Sequence, residues 1–285
     1  MTIVLVGSGP VLETASLALD DVDLPVRRTD LDAIEAADFA VVTGLAGSDG
    51  FRTANRVARS GDTPWIAVEV GGIGGTPVDD IDATVTTFDP DSGCFECLRQ
   101  RVDSTGVRAG TDPTADPNGA RIAGAYAGGL ATTMLGGEQG GGVVIEIPYA
   151  ERHLLPVPGC RCSKDPDRTI ELDAVSRDLE DSIALAERSV DERIGLVEEV
   201  GEFESFPAPY YLSVLADTGV FSDATATEQA AGVGLDWDTA FMKALGESLE
   251  RYSAGVYREA TFDRDTVAAV DGPSPADFVR PDDRP

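Results

Sequence analysis

The chain has 285 residues, 42 % of them hydrophobic, enough for one large or two ordinary domains with buried cores. Its formal net charge is −29, and Lys164 and Lys243 are the only lysines among 22 basic residues. No basic cluster is evident to neutralise phosphates, which argues against nucleic-acid binding, and no apolar run approaches the roughly 18 residues that a membrane-spanning helix needs.

An acid excess with so few lysines fits a cytoplasm of molar salt, where a Debye length of about 3 Å makes self-repulsion tolerable. The opening Met-Thr-Ile-Val-Leu-Val-Gly lacks a basic leader and reads as a buried strand, so the expected location is cytoplasmic. In chain order, strands are predicted at Thr2–Val6, Pro25–Thr29, Phe39–Thr43 and Trp65–Val70. Helices are predicted at 10–20, Leu31–Ala37 and Phe51–Arg59. This alternation predicts a mostly parallel, Rossmann-like α/β sheet. Gly7-x-Gly9 after the first strand, with Asp30 further on, has the outline of a dinucleotide fingerprint. Leu12 stands where its third glycine belongs, and Pro10 removes an amide from the helix start. A tight turn inside the sheet is the reading those two residues favour. Gly71–Gly75 is expected to be a flexible turn, Ala83–Phe88 a strand, and Thr105–Asn118 a mobile loop. A small-residue helix over Arg121–Leu135, a strand over Val143–Pro148, a polar link over 163–170 and an acidic amphipathic helix over Leu172–Glu187 follow.

The four cysteines form two close pairs, Cys94-x₂-Cys97 and Cys160-x-Cys162. In a reducing compartment such pairs read as metal ligands before disulfides, and four thiolates make a closed, structural Zn²⁺ site. The Cys-x-Cys pair is tighter than the usual Cys-x₂-Cys. His153, the sole histidine, lies near in sequence, but an ordinary histidine is its simpler reading.

From Asp191 the pattern changes. Strands are predicted at Ile194–Val200, Tyr210–Asp217 and Thr225–Ala230. They lead to a glycine loop, Ala231-Gly232-Val233-Gly234, and then a helix. Asp236 or Asp238 is its expected N-cap. Phe241, Ala244, Leu245, Leu249, Tyr252 and Val256 share one face; Lys243, Glu247, Glu250 and Arg251 share the opposite one. Taken by spacing alone, Glu247 and Arg251 read as an i,i+4 ion pair on a solvated face.

The string Gly232-x-Gly234 followed by Ala-Leu-Gly-Glu247-Ser-Leu-Glu250-Arg251-Tyr resembles the first nucleotide-binding helix of the YcaO family, ATP-dependent enzymes that activate backbone amides to form azolines or thioamides. The likeness begins at Asp191-Glu-Arg-Ile-Gly-Leu-Val. It implies that Gly232 and Gly234 approach nucleotide phosphate, that Glu247 and Glu250 hold Mg²⁺, and that Arg251 pairs with phosphate or orients a glutamate. No general base stands out. The Rossmann-like start with its cysteine pairs in turn resembles the E1-like (ThiF-like) partner domain found with YcaO proteins. The adenylation residues of active E1 enzymes are absent, which implies a degenerate copy that presents a peptide. The implied organisation is an E1-like zinc-bearing domain over 1–165, a linker helix over 166–190, and the incomplete start of a YcaO domain over 191–285. The sequence after Tyr257 is Asp- and Pro-rich and stops at Pro285, where the family continues. The implied partners are a peptide or protein substrate and a second copy of the chain. A non-catalytic peptide- or partner-binding scaffold is the competing expectation.

Overall fold

The computed structural model describes residues 1–285 apart from 115, 149, 163–176, 263, 267–268, 270–272 and 279–285. The expected polar link and the start of the Leu172–Glu187 helix lie outside the described residues.

Alternating aliphatic residues make the first strands two-sided. In β1 (Ile3–Val6), Ile3 and Leu5 face one layer and Val4 the other. α1 (Pro10–Asp20) follows, then β2 (Val26–Arg28), a short 3₁₀ helix at Leu31–Ala36, and β3 (Phe39–Leu45). α2 (Asp49–Ser60) is capped by Ser48 and leads to β4 (Trp65–Val70). These four strands are parallel, in the order β2-β1-β3-β4. A small ribbon, β5 (Gly72–Ile73) with β6 (Thr76–Pro77), precedes β7 (Ala83–Phe88). After α3 (Phe95–Ser104) and α4 (Pro117–Leu135) come β8 (Val143–Ile147) and β9 (Ala150–His153). β7, β8 and β9 join antiparallel, completing a seven-stranded sheet. The expected α/β sheet is therefore present, with its parallel half at the N-terminal side. α1 and α4 cover one face, through Leu12, Ala15, Ala123 and Ala127. α2 and α3 cover the other, where Phe51, Trp65, Phe88 and Phe95 form a continuous aromatic layer.

The second half begins with α5 (Leu179–Glu187), N-capped by Asp178. A three-stranded antiparallel sheet follows, ordered β10 (Val197–Glu204), β11 (Tyr210–Leu215), β12 (Gln229–Val233). α6 (Trp237–Ala254) packs across it. Asp236 is its N-cap, accepting from the Thr239 amide at 2.8 Å. The two halves share core: Ile194, Leu215, Phe221, Ala230 and Tyr252 pack into the same cluster as the α2–α3 face of the large sheet.

Several sequence expectations need correction. The helix expected from Arg121 starts four residues earlier, because Asp116 caps it and Pro117 supplies a preset first turn. Ala150–His153 is a further strand, too short and charged for periodicity to show. The Gly71–Gly75 segment is more than a turn: Gly72–Ile73 is a short strand, and the buried Glu69 carboxylate accepts from the amides of Gly74 and Gly75, at 2.8 and 2.6 Å. The last strand lies later than Thr225–Ala230, so that Gly232 falls inside β12 and not in a loop.

Candidate functional site

Cys94 sits at the N-terminal boundary of α3, and Cys97 falls in its first turn. The N-terminus of α3 receives Asn55 from α2, whose Oδ1 accepts from the Phe95 amide at 3.1 Å. Cys160 and Cys162 come from the loop after β9. The Cys160 amide closes a turn on the Val157 carbonyl, and the Val157 amide donates to Cys97 Sγ at 3.3 Å. Arg59 of α2 ties down the same loop by donating to the Arg161 carbonyl at 2.6 Å. The four sulfurs converge, all within 4.8 Å of one another, with Cys94 to Cys160 at 3.8 Å and Cys97 to Cys162 at 3.3 Å.

These separations exclude disulfides, whose sulfurs lie about 2.05 Å apart. They match a tetrahedral site: with Zn–S bonds of about 2.3 Å, sulfur–sulfur edges are about 3.8 Å. The donor set and geometry thus suit a closed metal centre. Crowding makes the thiols unequal. The S–H of Cys160 stabilises the Cys94 thiolate and drives its pKa far down, and Cys162 is lowered to about 7, chiefly by Cys160 as well. Cys97 and Cys160 are pushed up, Cys97 first by Cys160 and Cys160 first by Cys162. Four thiolates cannot coexist there without a cation between them. His153 takes no part. It lies at the surface with Nε2 2.9 Å from an Arg188 nitrogen, and partial desolvation of its ring followed by the charge of Arg188 lowers its pKa.

Of the C-terminal site residues, Glu247, Glu250 and Arg251 lie on α6, Gly232 in β12 and Gly234 just after it. Glu247 pairs with Arg251 at 2.6 Å, both are partly exposed, and Glu250 points to solvent. Arg251 also donates to Thr227 Oγ1 at 3.3 Å. Gly232 is required by packing. A Cβ there would lie 2.3 Å from both the Ala240 carbonyl oxygen and the Ala244 amide nitrogen, so only glycine lets β12 lie flat on α6. Gly234 likewise has the Ala240 amide 2.6 Å from a hypothetical Cβ. Lys243 reaches back to the Val233 carbonyl at 3.0 Å. The oxygens of Glu247 and Glu250 are the donor type Mg²⁺ takes. A cation there would first have to displace Arg251, and the described residues alone enclose no nucleotide at that face.

At the other glycine pair, a Cβ on Gly7 would strike the Thr43 carbonyl at 2.5 Å, so β1 and β3 approach there as a tight turn requires. Asp30 flanks the Leu31–Ala36 turn with no side-chain cap bond.

Sequence reasoning missed a cleft of about 700 Å³ beside the cysteine cluster, lined by Arg52, Arg56, Arg59, Arg161 and Arg258. It overturns the expectation that the chain has no basic cluster. Three of the five lie at i, i+4 and i+7 on α2, and that spacing was the available signal. The other two arrive through tertiary structure.

No family model matches this chain, and no curated protein matches it. Among solved structures it is similar to a heterocyclase determined in complex with substrate and cofactor, at 16 % identity and a TM-score of 0.59. The similarity covers 90 % of this chain and 40 % of that one, so the chain spans well under half of the heterocyclase. Looser similarity extends to the heterocyclase TruD (15 % identity, TM-score 0.45, 70 % of this chain and 33 % of that one). It also reaches E. coli MccB (14 % identity, TM-score 0.42, 62 % and 68 %). The chain has a heterocyclase-like fold.

Proposed function

We propose that this chain takes part in ATP-dependent activation of peptide or protein backbone amides of the YcaO type, yielding an azoline or thioamide. In this reading residues 1–165 are an E1-like, zinc-bearing domain that presents the peptide, 166–190 a linker, and 191–285 the opening part of a YcaO domain. The supporting observation is that 90 % of the chain shares the fold of a single heterocyclase, at a TM-score of 0.59. Cys94, Cys97, Cys160 and Cys162 would hold a structural Zn²⁺, for which their geometry is suited. Glu247 and Glu250 would bind Mg²⁺ with ATP, Arg251 would pair with phosphate, and the backbone at Gly232 and Gly234 would approach it. Bound Mg²⁺ would offset phosphate charge; the protein's part is to position carboxylates and guanidinium on one helix face.

The Glu247–Arg251 ion pair favours a second reading, a non-catalytic peptide- or partner-binding scaffold. ATP hydrolysis by the intact protein separates the two. Mg²⁺-dependent turnover, reduced about 100-fold or more in Glu247→Gln, is expected of the enzyme. Unchanged turnover in the variant removes the assignment, and absence of nucleotide binding in titration calorimetry leaves the scaffold.

A further inference from the structure

The chain carries 22 basic residues against 51 acidic ones, yet five arginines line one cleft. Arg52, Arg56 and Arg59 form an exposed stripe on α2. Arg161 enters from the cysteine loop and Arg258 from beyond α6. Among the described residues the only acidic one in the lining is Glu96, and its charge is already answered. Arg99 grips it with Nε at 3.1 Å and Nη2 at 2.7 Å, and Gln100 donates to it as well. A four-thiolate zinc centre is formally dianionic, and Cys94 and Cys160 form part of the wall. Even with Arg258 left out of the count, neutralising that centre would occupy two of Arg52, Arg56, Arg59 and Arg161 and leave an excess of positive charge among the described lining residues. Crowding like charges on this exposed face is unfavourable, and an anion that joins them relieves the repulsion.

We infer that this cleft binds an extended, carboxylate-rich peptide segment. The volume of about 700 Å³ suits an organic ligand more than a single inorganic ion. Among the described residues the lining holds no aromatic or aliphatic side chain on which a nucleobase would rest. A long polyanion such as nucleic acid would run past the cleft onto an otherwise acidic surface; a short acidic segment would not. Along α2 the rise from Arg52 to Arg56 is about 6 Å. Alternate residues of an extended chain repeat at about 6.6 Å, so carboxylates at every second position meet successive guanidiniums. Arginine is the side chain suited to gripping a carboxylate with two parallel bonds. The Asn55 side-chain nitrogen and the Ser60 hydroxyl oxygen, also in the lining, are a donor and an acceptor for the peptide backbone.

The cleft binds such a peptide whether or not the chain turns it over, so this inference and the amide-activation reading fail separately. The test is fluorescence anisotropy of a labelled peptide of alternating glutamate and serine with the intact protein, beside the same peptide carrying glutamine for glutamate. The expected result is binding of the glutamate peptide alone, weakened about tenfold or more in the Arg52→Gln/Arg56→Gln double variant. Both arginines are exposed on the helix and glutamine is as good a helix former, so an unchanged thermal transition reports intact folding. Equal binding of the glutamine peptide, unaltered affinity in the folded double variant, or no binding at all overturns the inference. Displacement of the peptide by an equimolar amount of inorganic phosphate overturns it too, in favour of a small-anion site.

Discussion

Glu69 is fully buried in β4, and its carboxylate has only two backbone amides as donors. Burial outweighs those bonds and raises its pKa from 4.5 to about 7. A folded state that holds a proton more tightly than the unfolded chain loses stability as pH rises through the interval between the two values. The contribution is therefore complete below about pH 4.5, falls between about 4.5 and 7, and is level above. At about 1.4 kcal/mol per pH unit the loss is on the order of 3 kcal/mol. Glu69→Gln removes this dependence while sacrificing one amide bond. Urea melts of both proteins from pH 5 to 8 are expected to show the variant gaining on the wild type as pH rises. Parallel curves would mean that Glu69 is not the group responsible. Nothing in the run Trp65–Val70 announces this: a single glutamate in an apolar strand is legible, but the amides that hold it come from a turn several residues on.

α3 is the element on which the site is built. It carries Cys94 at its start and Cys97 in its first turn, against a loop that returns more than sixty residues later. The cysteine pairs were legible because thiols so spaced have few other uses. Their convergence was not, since it depends on β8 and β9 bringing the loop back. If zinc fills the site, chelation should release a stoichiometric amount and lower Tm by about 10 °C. Metal analysis with differential scanning calorimetry checks both. Release without a shift in Tm would show the thiols to be incidental. α6 teaches the complementary lesson. Its buried face and its Asp236 cap are what periodicity and capping chemistry foretell. The Gly232 region was misplaced because Gly-x-Gly is equally the mark of a phosphate loop and of a strand lying close on a helix.

At the scale of the whole molecule, buried cations join the two halves: Arg152 of β9 pairs with Asp191, and Arg101 reaches α6. Arg101, only 1 % exposed, donates to the Leu155 and Pro156 carbonyls and, through Nη1 at 2.6 Å, to the Tyr252 hydroxyl of α6. Its guanidinium lies 5.7 Å from the Phe221 ring centroid and 5.4 Å from that of Tyr252. Asp217 and Ser104 share a backbone bond of 2.8 Å nearby, and Thr105 Oγ1 donates to the Arg193 carbonyl at 2.7 Å. Tyr252→Phe leaves Nη1 without that acceptor and should cost about 1–3 kcal/mol. The two halves should still unfold in one transition, seen alike by far-ultraviolet dichroism and tryptophan fluorescence, because their cores are continuous. Two separated transitions in the wild type would refute a shared core. The change of pattern at Asp191 is legible in the sequence; that an arginine would be sealed between the two halves is a tertiary fact no local pattern carries.

Cys97 and Arg101 stand one turn apart on the same ten-residue helix. A rod gripped by sulfur at one end and by tyrosine at the other behaves as a strut. The sulfur cluster and the contact with Tyr252 of α6 therefore rest on one short element, and a metal held by the thiols is expected to steady that contact; a Tyr252→Phe variant that leaves metal affinity unchanged would separate the two.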